Sequence, residues 1–139
     1  MMTEEKKQLM LDSFNRSEAL QFFNASLEKV ETDFVSIKIP KQKHMTRKAR
    51  MFNGAMMASL VDVSSGYAAV SHYDTDCYVV TLELKVNYLR PAIGDALLSK
   101  SYVVKGGSKI STIRTEIYTV NDSNESHVAT SLVTMMRIK

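Results

Sequence analysis

One cysteine, Cys77, is the only thiol in this 139-residue chain. A lone cysteine excludes a disulfide framework and any zinc or iron–sulfur site built from several cysteines. Proline and glycine are also scarce, at two and five residues, so a collagen-like repeat and a low-complexity linker are excluded. No apolar run reaches the roughly 18 residues a membrane-spanning helix needs, because Asp62 splits the most hydrophobic stretch. The opening MMTEEKKQLMLDSF is charged and acidic, unlike a secretory signal or an Arg-rich transit peptide. These absences lead to the expectation of a soluble, cytoplasmic protein.

The chain is 45% hydrophobic and 24% charged, which excludes a disordered tail. Its length suits one domain spanning residues 1–139, able to bury roughly 68–70% of its unfolded surface. The net charge of +3 is unevenly placed. Residues 41–50, KQKHMTRKAR, carry five cations and no acid, leaving the rest of the chain at −2. A local basic stretch on a slightly acidic domain reads as an anion site, or as a solvated loop, and not as a nucleic-acid face.

Thr3 is placed to cap a helix whose first turn holds Glu4 and Glu5. Ser17 and Glu18 repeat that signal for a short second helix, which Asn24 can end in a left-handed conformation, giving an N-terminal helical segment over 1–24. Residues 27–39 alternate apolar and polar up to Pro40 and predict one strand. Residues 54–73 are apolar nearly all round at helical length and predict a helix buried on most sides. Within it Ala55, Ala58, Ser59, Asp62, Ser65, Gly66 and Ala69 form a stripe of small residues for close approach. Met56, Met57, Leu60, Val61 and Tyr67 then fill the other sides. Four strand patterns follow, at 78–89, 96–105, 109–120 and 127–138. The first predicts Val80, Leu82, Leu84, Val86 and Tyr88 on one face, with Thr81, Glu83, Lys85 and Asn87 on the other. Gly106–Gly107 marks a hairpin. The expected class is α+β, a curved antiparallel sheet wrapped around a long central helix.

The residues FNGAMMASLVDVSSGYAA, followed by VVTLELKVNYLRPAIGD, resemble the hotdog-fold acyl-CoA thioesterases of the phenylacetate-degradation and 4-hydroxybenzoyl-CoA type. Members carry a His-Gly-Gly or similar turn, a helix with an acid two turns on, and a strand ending in Tyr-x-x-Pro and a Gly. Here Asn53–Gly54–Ala55 stands at the turn, Asp62 lies eight residues after Gly54, and Tyr88 to Pro91 with Gly94 ends the strand. The resemblance extends over residues 25–138. It implies hydrolysis of an acyl thioester without a covalent serine triad, and the chain has no G-x-S-x-G elbow, H-E-x-x-H pair or P-loop.

The resemblance assigns Asp62 as base and the Gly54 amide as oxyanion donor, with the two drawn from opposite subunits of a homodimer or a dimer of dimers. Helix-start N–H groups suit a developing negative charge. Two positions depart from the family. Asn53 replaces the usual His and can donate to the carbonyl or cap the helix. Arg47 stands where some relatives hold the attacking water with Asn. Thr81 matches a Ser or Thr near that water, and is otherwise an ordinary strand residue. Ala55 and Met56 are substrate-contact candidates. Arg90, Lys105, Lys109 and the 41–50 segment are candidates for coenzyme A phosphates. His44, His72 and His127 do not cluster, and each reads as solvated or structural. Cys77 reads as a small buried thiol with nothing to activate it.

The leading expectation is therefore an acyl-CoA thioesterase needing no cofactor or metal, with acyl-carrier protein as the other carrier. A non-catalytic acyl-thioester binding protein is the alternative. A dehydratase or hydratase on the same fold is disfavoured, because the central helix has only His72, at its far end.

Overall fold

The computed structural model describes residues 1–139. Helix α1, Glu4–Arg16, begins as its sequence predicts, with the Thr3 hydroxyl accepting the Lys6 N–H at 3.1 Å. Helix α2, Glu18–Phe22, is capped by Ser17, and Asn24 leaves it at φ 55°. The single strand expected over 27–39 is instead two, β1 (Ser26–Glu31) and β2 (Phe34–Pro40), folded back at Thr32–Asp33. Asp33 takes the left-handed conformation at φ 67°, which Asp tolerates without glycine. Val30 and Val35 are cross-strand partners that both face the core, five residues apart, so the turn shifts the alternation by one residue and Phe34 falls on the other face beside Glu31.

After two 3-10 turns, Lys43–Met45 and Lys48–Arg50, comes helix α3, Gly54–His72. Four long strands follow: β3 (Val79–Tyr88), β4 (Ala96–Gly106), β5 (Ile110–Asn121) and β6 (Asn124–Arg137). The six strands form one antiparallel sheet in the order β1-β2-β4-β5-β6-β3. Helix α3 packs across it, contacting every strand from β2 to β6. This is the helix-wrapping sheet that the sequence predicts. No helix is long and apolar enough to cross a membrane.

Only one side of α3 is fully buried, formed by Met57, Leu60, Val61, Ser64, Ser65, Ala68 and Ala69. The predicted small-residue stripe is therefore not the packing face, since only Ser65 and Ala69 of it lie there. A helix apolar nearly all round carries no polarity to choose a face, so the choice falls to the sheet. Hydroxyls, as well as hydrocarbon, join the two layers. Ser64 Oγ lies 2.7 Å from both Ser99 Oγ and Ser101 Oγ, while Thr115 Oγ1 lies 2.6 Å from Ser101 Oγ and 2.7 Å from Ser65 Oγ. Every member of this chain is fully buried and partnered, so α3 is held at one height over β4 and β5.

The far end of α3 is pinned twice. His72 Nδ1 meets Asp33 Oδ1 at 2.6 Å, and Tyr73 Oη donates to the Gly107 carbonyl at 3.0 Å. A β-carbon on Gly106 would fall on the His72 ring, and one on Gly107 would lie 2.6 Å from the Ile110 oxygen. The glycine pair thus makes the expected hairpin, but close approach demands it, because neither glycine has a positive φ.

Strand β3 is an edge, paired with β6 alone. Its pairing slips between Thr81 and Glu83, which leaves Leu82 as an extra residue. This bulge reverses the alternation. Val79 and Thr81 face α3 before it, and Leu84, Val86 and Tyr88 after it, while Leu82 is 53% exposed. The single apolar face expected from Val80 to Tyr88 does not exist.

Candidate active site

Asp62 lies near the middle of α3, on the half-exposed side that the sheet does not cover. The sequence suggests a carboxylate enclosed by apolar surface. The structure opens it instead onto a cavity of about 330 Å³, so no uncompensated charge is buried. Thr81 Oγ1 donates to Asp62 Oδ1 at 2.6 Å and also lies 3.4 Å from Met135 Sδ. The bulge at Leu82 makes that contact possible, because strict alternation from Leu84 would turn Thr81 away. Val63, Gly66 and Tyr67 of α3 continue the wall beyond Asp62, and Met135 of β6 lines it too.

The outer wall comes from the N-terminal segment, through Leu9, Met10 and Ser13 of α1. Sequence reasoning set this segment apart from the site. Lys6 Nζ donates to the Thr75 carbonyl at 2.6 Å, and Ser13 Oγ sits 3.2 Å from Tyr67 Oη. Met10 and Phe14 are buried in the core. Their four-residue spacing was the available signal that α1 docks.

Cys77, half-buried, lines the same cavity. Burial pushes its thiol up from the ordinary value, with Lys6 and Arg137 pulling partly back and Asp76 adding to the rise. That favours the protonated thiol and disfavours a nucleophile.

A second cavity, of about 680 Å³, opens at the start of α3 and is lined by Arg47, Asn53, Gly54, Met57, Tyr88 and Arg90, among others. Asn53 caps the helix, its Oδ1 accepting the Ala55 N–H at 3.0 Å, so that oxygen is already engaged. The Gly54 N–H has no acceptor within the chain. Tyr88 Oη donates to the Gly54 carbonyl at 3.0 Å, and its ring flanks the glycine. The sequence marks Tyr88 as a strand residue at the end of the Tyr-x-x-Pro stretch, and nothing local signals its bond to the start of the helix. Met57 lines this cavity, while Ala55 is exposed and Met56 packs on the core, and both lie outside the two cavities.

The two cavities share no residue. Asp62 follows Gly54 by eight residues, about 12 Å of helix rise. Within one chain, acid and free N–H are therefore not brought together.

The basic segment is a tight loop. Arg47 N–H bonds the Met51 carbonyl at 2.8 Å, Thr46 bridges Phe52, and Ala49 and Arg50 both adopt left-handed angles, φ 60° and 61°. Adjacent left-handed residues other than glycine cost roughly 1–2 kcal/mol each. The loop presents Arg47 beside Arg90 on the second cavity. Lys105 and Lys109 are exposed at the β4–β5 hairpin, at the opposite end of α3 beside His72, so the chain does not group them with Arg47 and Arg90. The histidines are also dispersed. His72 pairs with Asp33, His127 Nε2 lies 2.6 Å from Glu116, and His44 packs beside the Phe22 ring. No three His, Cys, Asp or Glu side chains gather as a metal site would need.

The family model of the thioesterase superfamily matches residues 50–125, spanning α3, β3, β4 and β5. The chain belongs to the thioesterase superfamily. A thioesterase family protein from Silicibacter pomeroyi superposes with a TM-score of 0.90 at 27% identity, covering 95% of this chain and 97% of that one. The Escherichia coli PaaI protein of the phenylacetic acid degradation operon superposes with a TM-score of 0.87 at 19% identity, over 100% of this chain and 97% of its own. The Escherichia coli protein YigI, named a medium/long-chain acyl-CoA thioesterase, is 24% identical over 88% of this chain and 84% of its own length. The architecture described above is thus the hotdog fold of this superfamily.

Proposed function

We propose that this thioesterase-superfamily protein hydrolyses acyl-CoA thioesters as a homodimer, with each site built from both subunits. One observation carries the reading. The acid and the free N–H lie in separate cavities of one chain, each tied to one end of the same edge strand, whose outer side is unpaired, Asp62 through Thr81 and Gly54 through Tyr88. Antiparallel pairing of β3 with a second copy would set Thr81 near the partner's Tyr88. Asp62 would then approach the partner's Gly54. It would also bring the hairpin of Lys105 and Lys109 toward the partner's Arg47 and Arg90, grouping cations for the phosphates of coenzyme A.

In that site the Gly54 N–H, at the positive end of α3, would donate to the thioester carbonyl oxygen as it becomes an oxyanion. Thr81 occupies Asp62 Oδ1 and leaves Oδ2 to take a proton from water. The water oxygen adds to the carbonyl carbon, the carbon–sulfur bond then breaks, and the thiolate leaves with the proton held by Asp62. Charge and atoms balance with water as the only co-reactant. Nothing in this sequence requires Cys77 or a histidine.

A second reading, acyl-thioester binding without turnover, is favoured by Asn53, whose oxygen is committed to the helix cap where relatives place a His. One assay separates them: thiol release from short, long and aromatic acyl-CoA esters, and from an acyl-carrier-protein thioester, by wild type and Asp62→Asn. Turnover that falls about 100-fold or more in the variant supports the hydrolase and its base. Tight ester binding with no turnover by wild type overturns it in favour of the binding protein.

A further inference from the structure

We infer that Gly66 is the specificity-determining residue for the acyl group, the notch through which an aliphatic chain passes Asp62 and runs under α1. This rests on the hydrolase reading above for the identity of the ligand, but the structural argument is separate. Gly66 lies inside a 19-residue helix, where glycine is destabilising relative to alanine. Neither backbone nor packing requires it. Its φ is negative, and a β-carbon placed on it would meet only Met135 Cε, at 3.9 Å, an ordinary contact. Three of the other glycines differ, since a β-carbon on Gly94, Gly106 or Gly107 would meet another atom under 3.0 Å, while one on Gly54 would touch the Tyr88 ring at 3.5 Å. At Gly66 the space is open, and that space is the cavity of Asp62.

Asp62 and Gly66 are four residues apart on one helix face, so the notch lies one turn beyond the carboxylate, away from the helix start. A carbonyl carbon attacked by water from Asp62 has its thiol portion toward the surface and its acyl tail toward Gly66. The lining is mainly aliphatic or thioether, with Val63, Val70, Val79, Met135 and, from α1, Leu9 and Met10; Ser17, Asp76, Cys77 and Tyr78 also line it. The Ser13 and Tyr67 hydroxyls there bond each other and the Ser17 hydroxyl accepts the Leu20 N–H, so these three are already engaged within the chain and the larger part of the wall suits an apolar acyl group. Methionines adapt to different chain lengths. The N-terminal helix, outside the segment matched by the superfamily, thus forms one wall of the acyl chamber.

The test compares wild type, Gly66→Ala and Gly66→Leu on acetyl-, butyryl-, octanoyl- and lauroyl-CoA, with Tm measured for each protein. The expected result is a graded loss of selectivity. The ratio of kcat/KM for lauroyl- over acetyl-CoA falls modestly in Gly66→Ala and at least tenfold in Gly66→Leu. Gly66→Ala also raises Tm by about 2–4 °C, as a glycine with no packing duty predicts. Loss by one common factor on all four esters, or a lower Tm for Gly66→Ala, overturns the inference and leaves the hydrolase reading intact. If wild type hydrolyses none of them, the hydrolase reading falls and the notch is judged by binding of cis-parinaric acid. Binding by wild type that is lost in Gly66→Leu upholds the notch. Equal binding by both, or none by either, overturns it.

Discussion

Thr81 and Asp62 meet at 2.6 Å across the boundary between sheet and helix, although Thr81 sits on an edge strand and Asp62 in the middle of α3. The contact exists because β3 carries one extra residue at Leu82, and it leaves one carboxylate oxygen of Asp62 for another partner. Thr81→Val keeps the shape and removes the donor. A hydrogen bond to a charged group contributes roughly 1.5–3 kcal/mol, so kcat is expected to fall about 10- to 100-fold with little change in KM. Thr81→Ser should restore most of it. Steady-state kinetics on the best acyl-CoA ester check this, and an unaffected kcat in Thr81→Val would remove Thr81 from the site.

The Gly54 N–H can be deleted without deleting the helix. Proline is favoured at the first helical position, and Asn53 already has the extended angles, φ −67° and ψ 139°, that a residue before proline needs. Gly54→Pro should therefore fold with wild-type circular dichroism and lose about 100- to 1,000-fold in kcat, as removal of an oxyanion donor does. Retained activity would show that this N–H does not face the substrate.

Mixing the two inactive proteins tests the shared site. Asp62→Asn and Gly54→Pro, denatured together and refolded, should form mixed dimers in which one of two sites holds both an intact acid and an intact N–H. Recovery approaching about a quarter of wild-type activity is expected for random pairing in a two-fold dimer. If both groups came from one chain, the mixture would stay as inactive as its parts.

Cys77 gives a pH-dependent prediction. Its thiol is pushed up, mainly by burial, so the folded protein holds the proton more tightly than the unfolded chain. Below the ordinary thiol value of 9.0 both states are protonated and this group adds no pH dependence. As pH rises through that value the unfolded chain ionises first and folding stability declines. Alkylation by iodoacetamide should be slower than for a free thiol at neutral pH and climb above pH 9. Fast labelling at neutral pH would contradict the direction of the shift.

Gly106 predicts a stability effect far from the chemistry. A methyl group there strikes the His72 ring and displaces it from Asp33, so Gly106→Ala should lower stability by about 1–3 kcal/mol. Denaturant unfolding of that variant beside Asp33→Ala checks it, and two such changes in one contact should not be additive.

Much of the scaffold was legible because its signals are local. Thr3, Ser17 and Asn24 mark helix boundaries through their own hydrogen bonds and backbone angles. The apolar length from Gly54 and the turn residues after it set out the central helix and four strands. The β1–β2 turn was hidden because Thr32–Asp33 holds neither glycine nor proline, Asp33 itself taking the left-handed angle. In the site, Asp62 stood out as the one acid in an apolar helix, whereas Tyr88 looked like any strand-end aromatic.

The sequence by itself determined the elements, the acid, and the spacing of eight residues from Gly54 to Asp62, because these depend on neighbours along the chain. Tertiary structure alone decided that Asp62 is half-open, that Thr81 faces it, and that Leu9 and Met10 complete its cavity. It also decided that the Gly54 N–H lies in a different cavity from the acid. The reason is physical. A bulge is a mismatch between two paired strands, and the buried side of a uniformly apolar helix is chosen by the sheet it meets. Neither property belongs to any one segment of sequence.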